Sequence, residues 1–132
     1  MYLADSMAIT TIPVTDLDRS VPFYRDVLGL TLLDHNPASA RLGAGNGTQI
    51  SIFKRPPVER GHTMAHFEVK DIEQAVADLR SRGVVFEEYA SGPVATTNGI
   101  ANYAPGMRGA WFKDPDGNVL GLRQGPQFGS AK

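Results

Sequence analysis

An α+β fold built from two β-α-β-β-β modules is predicted for this chain by a repeat, a periodicity and a pair of stop signals. The stretch from Met64 to Gly83 rewrites an earlier one 55 residues upstream: Val69-Lys70-Asp71-Ile72 falls on Val14-Thr15-Asp16-Leu17, Phe67 on Ile12, and Leu79 on Tyr24. In each copy an alternating run passes into apolar residues at helical spacing, and each copy closes on a glycine, Gly29 or Gly83.

The first module, about residues 7–54, opens on Met7–Val14, where Thr10, Ile12 and Val14 share one face and Ile9, Thr11 and Pro13 the other. Asp16 caps a helix carried by Leu17, Val21, Tyr24 and Leu28, and Gly29 takes the left-handed conformation that ends it. Leu30–Asp34 and Ala38–Leu42 read as short strands, with His35 in the turn before Asn36-Pro37. Gly43-Ala44-Gly45-Asn46-Gly47 reads as a turn, and Thr48–Phe53 as a fourth strand.

A charged, proline-bearing connector, 54–62, leads into the second module, about 63–124; 1–6 and 125–132 are tails to this single domain of residues 7–124. Thr63–Val69 alternates, Asp71 caps a helix whose buried stripe is Ile72, Ala75, Val76 and Leu79, and Val84–Tyr89 is expected as a strand. Ala90–Met107 carries no ionisable side chain except Tyr103 and reads as a long loop, a lid or a dimer contact. Arg108–Lys113 and Asn118–Arg123 form a hairpin around Asp114-Pro115-Asp116-Gly117. Against that hairpin the offset to the first module is 70 residues, so 15 have been inserted in the uncharged loop.

Composition narrows the function. The 132 residues, 42% hydrophobic, suffice for one domain that buries roughly two-thirds of its unfolded surface. The absence of cysteine removes disulfides, thiolate metal sites and cysteine nucleophiles. A formal charge of −1, without a basic run, gives no field for a polyanion, so nucleic acid is not an expected partner. No stretch reaches the ~20 apolar residues of a membrane span, and the first seven residues lack the marks of a signal peptide. The expectation is a soluble, cytoplasmic protein.

The first helix, with Phe23-Tyr24-Arg25-Asp26-Val27-Leu28-Gly29-Leu30, and the last hairpin, with Trp111-Phe112-Lys113-Asp114-Pro115-Asp116-Gly117-Asn118, resemble the vicinal oxygen chelate superfamily of glyoxalases, bleomycin resistance proteins and dioxygenases. The resemblance covers Met7 to Gln124 and implies curved half-barrel sheets, helices outside, a cavity between the modules and a homodimer. It also implies four metal-ligand positions, which fall here on Ile9, Ser51, Met64 and Gly121. Two aliphatic side chains, one hydroxyl and a glycine are not the carboxylate and imidazole set a divalent cation needs, so no metal centre and no cofactor are expected. The alternative is a divalent metal held in another register that brings in His62 or His66.

Alternation along the strands places Thr11, Gln49, Ser51 and Phe53 on the cavity side of one module. It places Met64, His66, Glu68, Trp111, Val119 and Arg123 on that side of the other. Such a lining suits a small organic molecule, with Trp111 available to stack on a planar group. His66 and Glu68 are the candidate acid–base pair; a half-exposed polar strand face is the plain alternative for them, core filling for Trp111, and a rim salt bridge for Arg123. Three functional classes follow: metal-independent binding of a small molecule, of a sequestering or resistance type; an enzyme; or a structural or regulatory partner, disfavoured because the inferred cavity wall carries polar groups with no other evident role. The enzyme would be a metal-dependent lyase or oxygenase, or a metal-free isomerase using His66 and Glu68.

Overall fold

The computed structural model describes residues 3–57, 59, 61–92 and 94–125. They form two compact units, each a mixed sheet carrying one helix. The first unit holds β1 (Thr10–Val14), α1 (Leu17–Pro22), β2 (Thr31–Asn36), β3 (Ser39–Gly43) and β4 (Gln49–Lys54), together with the turn Asp114–Asn118. The second holds β5 (Thr63–Glu68), α2 (Ile72–Ser81), β6 (Thr96–Thr97), β7 (Ile100–Ala104), β8 (Met107–Lys113) and β9 (Val119–Gln124).

In the first unit the strand order is β1-β4-β3-β2, with β1 and β4 parallel. Alternation sends Ile12, Val14, Ala40, Leu42, Ile50 and Ile52 to one face, and all six are buried. Asp16 is extended and its carboxylate accepts the Asp18 amide, starting α1 as expected. The single helix expected through Leu28 is not what forms. Pro22 has no amide hydrogen to donate, and beyond it the chain widens into a π-helical turn, Phe23–Val27, closed by the Leu28 N–H on the Phe23 carbonyl. Tyr24 is thereby carried into the core, where its hydroxyl donates to Asp114 Oδ2 at 2.7 Å. His35 is another correction: it lies within β2, paired with Ala40. The turn is instead closed by Asn36, whose side-chain oxygen accepts the amides of Ala38 and Ser39.

The second unit has strand order β5-β9-β8-β7-β6, again with its first pair parallel. Ile72 and Val76 of α2 are buried, as are Ala110, Phe112, Leu120 and Leu122 of the sheet. Two expectations fail here. Val84–Tyr89 makes only one bridge, Phe86 to Phe112, with the Glu87 amide on the Trp111 carbonyl. Much of the ladder that a strand there would have made is taken by β7, which pairs with β8 from inside the expected loop. Thr96–Ala104, the middle of the expected loop, is therefore a β6–β7 hairpin extending the sheet, its residues supplying backbone partners rather than a free lid.

That hairpin is anchored by Glu88, whose Oε1 accepts the Thr96 hydroxyl at 2.6 Å and the Gly99 amide at 3.0 Å. These bonds, the Thr96 hydroxyl first, hold the Glu88 carboxyl below the ordinary glutamate value. A depressed carboxyl contributes stability above its unfolded pKa and loses it as pH falls through the folded one. Protection of the Gly99 amide against hydrogen exchange, corrected for the intrinsic rate, is expected to fall as pH drops below the ordinary glutamate range, a dependence absent from the Glu88→Gln protein.

Candidate functional site

Cross-strand register fixes which side chains share the face of each sheet opposite the buried one. In the first unit Thr11 lies opposite Ser51, Phe53 opposite Pro13 and Ser39, and Gln49 opposite Gly43. Thr11, Gln49, Ser51 and Phe53 thus share one open face. Gln49 is already engaged: its side-chain oxygen accepts from Arg41, which also binds Asp34 and holds that carboxyl below its ordinary range.

In the second unit the open face carries His66 opposite Gly121 opposite Trp111, and beside that row Glu68 opposite Arg123 opposite Gly109. Val119 continues it, paired with Lys113 and Thr63. Met64 is displaced from the simple alternation, because it is the extra residue where β5 slips relative to β9 between Thr63 and Ala65. Arg123 clamps Glu68 through one nitrogen, at 2.6 and 2.7 Å to the two carboxylate oxygens, and His66 Nε2 stands 3.2 Å from Glu68 Oε2. The salt-bridge reading of Arg123 describes these contacts, and the guanidinium makes the shorter bonds to the carboxylate that His66 also approaches.

Trp111 dominates this face. Its ring lies 5.9 Å from that of Tyr89 and 6.3 Å from that of Tyr103, measured between centroids. At those separations each tyrosine ring touches the indole, Tyr89 edge-on at 62° and Tyr103 tilted at 48°, so the three form one aromatic patch centred on Trp111. Neither tyrosine was legible as a site residue: Tyr103 sat in an apparent loop and Tyr89 at the end of an apparent strand. The β8 alternation does point to Gly109 as a neighbour of Trp111.

The donor chemistry does not fit a metal. Of the four ligand positions implied by the fold, Ile9 is a 36% exposed aliphatic residue, Ser51 a lone hydroxyl, Met64 a thioether in a bulge, and Gly121 has no side chain. Among the described residues no three His, Asp or Glu side chains gather as a cation would require. Nor do the expected site residues line two clefts found among the described residues, about 490 Å³ between α1 and the β2–β3 hairpin and about 410 Å³ between α2 and the β6–β8 strands. Those clefts repeat one another at the 55-residue offset, with Asp18, Val21 and Arg25 in one and Glu73, Val76 and Arg80 in the other, which marks them as features of the scaffold.

Comparison with known proteins gives the lineage. Solved structures similar to the chain include a glyoxalase/bleomycin resistance protein from Streptomyces sp. CB03234, 27% identical with TM-score 0.65, covering 90% of this chain and 100% of that one. TnmS3, an antibiotic binding protein from the same Streptomyces strain, is 24% identical with TM-score 0.65, over 92% of this chain and 98% of that one. The fosfomycin resistance protein FosX from Listeria monocytogenes is 16% identical with TM-score 0.71, over 94% and 96%. No curated protein matches the chain. No described helix is long and apolar enough to cross a membrane. The family model described as "Glyoxalase/Bleomycin resistance protein/Dioxygenase superfamily" matches residues 6–122, and the chain belongs to that superfamily.

Proposed function

We propose that this protein binds a small organic molecule without a metal, on the open sheet face of its second unit, and acts by sequestering it. The observation that carries this reading is the composition of that face: an indole in contact with two tyrosine rings, beside a carboxylate already paired with a guanidinium. Aromatic surface with a few polar groups at its edge is what organic ligands are held by, whereas a cation needs converging unspent donors. The similarity to an antibiotic binding protein supports the same reading. We further propose a cytoplasmic homodimer, in keeping with the family resemblance, which sedimentation equilibrium would test.

Native mass spectrometry of the freshly purified protein, together with metal analysis, tests the proposal. The expected result is a retained organic mass or none, with less than 0.1 equivalent of divalent metal (about the level of adventitious binding). One equivalent of zinc, nickel, manganese or iron that disappears in His66→Ala would overturn it.

A second reading, proton transfer by His66 in a metal-free reaction, is favoured by the 3.2 Å contact between His66 Nε2 and Glu68. It requires turnover that survives chelator and falls by about 10²-fold or more in His66→Asn. A substrate screen run in chelator separates it from binding alone.

A further inference from the structure

Gly109 and Gly121 sit in the middle of β8 and β9, and neither has the positive φ that would require glycine. Glycine in a strand interior weakens the strand relative to alanine and leaves no side chain to pack. Two such residues on one sheet face need a reason, and the indole supplies it. A Cβ at Gly121 would lie 3.3 Å from Trp111 Cδ1 and 3.4 Å from both its Nε1 and His66 Cβ; one at Gly109 would lie 3.0 Å from Trp111 Cη2 and 3.2 Å from Cζ2, with Tyr103 Cε1 at 3.1 Å. The two ends of one indole thus rest over two missing side chains, one on its own strand and one on the neighbour.

The geometry points to Gly109 and Gly121 as the specificity-determining pair of this site: by letting Trp111 lie along the sheet, they make the bed of a stacking platform for flat, uncharged aromatic ligands. The inference rests on the binding function proposed above and adds the ligand class. Flatness follows from the platform, because a ring presented broadside rewards ligands that stack on it. A cation finds no free counter-charge here, because the Glu68 carboxylate on this face is already paired with Arg123. Lack of net charge follows from the Arg123–Glu68 pair, which leaves no unopposed charge for an anion. Trp111 Nε1 and the Tyr89 and Tyr103 hydroxyls have no hydrogen-bond partner among the described residues, so oxygen or nitrogen acceptors at the ligand's edge would find donors there.

Trp111 is the only tryptophan, so its emission reports on the platform directly. Three probes of related size separate the possibilities: lumichrome, flat and neutral; naphthalene-1,5-disulfonate, flat and doubly anionic; and trans-decalin-1,5-dione, neutral but not flat. Saturable quenching by lumichrome at least tenfold tighter than either control is expected. Equal or tighter binding of a control overturns the ligand class while leaving the binding site standing; no saturable response to any probe overturns both.

The glycine pair is tested by Gly109→Ala and Gly121→Ala. Both should keep the far-ultraviolet spectrum, shift the Trp111 emission and weaken lumichrome, Gly109→Ala by about tenfold and Gly121→Ala by less, because its added carbon is met at 3.3 Å rather than 3.0 Å. Gly121→Val is the stronger version, since valine suits a strand while its branches intrude on the indole. Folded variants that bind lumichrome within twofold of the parent would refute the role of the pair.

Discussion

Asp114→Ala is expected to destabilise the protein by about 4 kcal/mol, read as a drop in the urea midpoint with an unchanged slope. The carboxylate is 5% exposed and fully engaged. Oδ1 accepts the amides of Asp116 and Asn118, at 2.9 and 2.8 Å, and Oδ2 accepts the Tyr24 hydroxyl and the Asn118 side-chain amide, at 2.7 and 2.8 Å. Asn118 also reaches the Pro13 carbonyl at 2.9 Å. Truncation removes the acceptor from all four donors, two of them on the side chains of fully buried residues, and each orphaned buried group costs about 1–3 kcal/mol. Tyr24→Phe removes one donor only and should cost about 1–2 kcal/mol, leaving the turn intact. A loss below 1 kcal/mol for Asp114→Ala would mean that water replaces the carboxylate without penalty.

Trp111→Ala should weaken lumichrome by about a hundredfold, followed through the ligand's own emission because the protein's tryptophan is gone. Removing the indole eliminates both the apolar area a ligand covers and the stacking preference. It also exposes Gly109 and Gly121, which have no side chains with which to rebuild a surface. Because the indole lies on the open face rather than among Phe112, Leu120 and Leu122, stability should fall much less than affinity. A variant that retains full affinity would place the ligand elsewhere.

The pattern of burial was largely readable from the amino-acid order. Strands with one buried face must alternate, and helices on a sheet must repeat their apolar residues every three or four positions. Ile12, Ile50, Ile52, Leu120 and Leu122 therefore announced themselves. The β6–β7 hairpin did not, because Thr96, Thr97, Ala101 and Asn102 are small or polar and carry no such signal; β7 finds its ladder on the backbone of β8, and β6 finds its own on β7. Val84–Tyr89 misled in the opposite sense, since an apolar run reports burial and not ladder partners.

Local chemistry thus settles this chain's repeat, its helix caps, its turns and the face each strand buries, because those depend on neighbours a few residues away. Partners distant in sequence settle the rest. Asp114-Pro115-Asp116-Gly117 is a turn by composition, yet its buried anchor is a tyrosine 90 residues earlier. Glu68 is a plausible base until Arg123, on the adjacent strand, occupies its carboxylate. Gly121 is merely a missing ligand until the indole of Trp111 is seen lying over it. A side chain's chemistry is inscribed in its residue type, but its availability depends on what the folded backbone sets beside it.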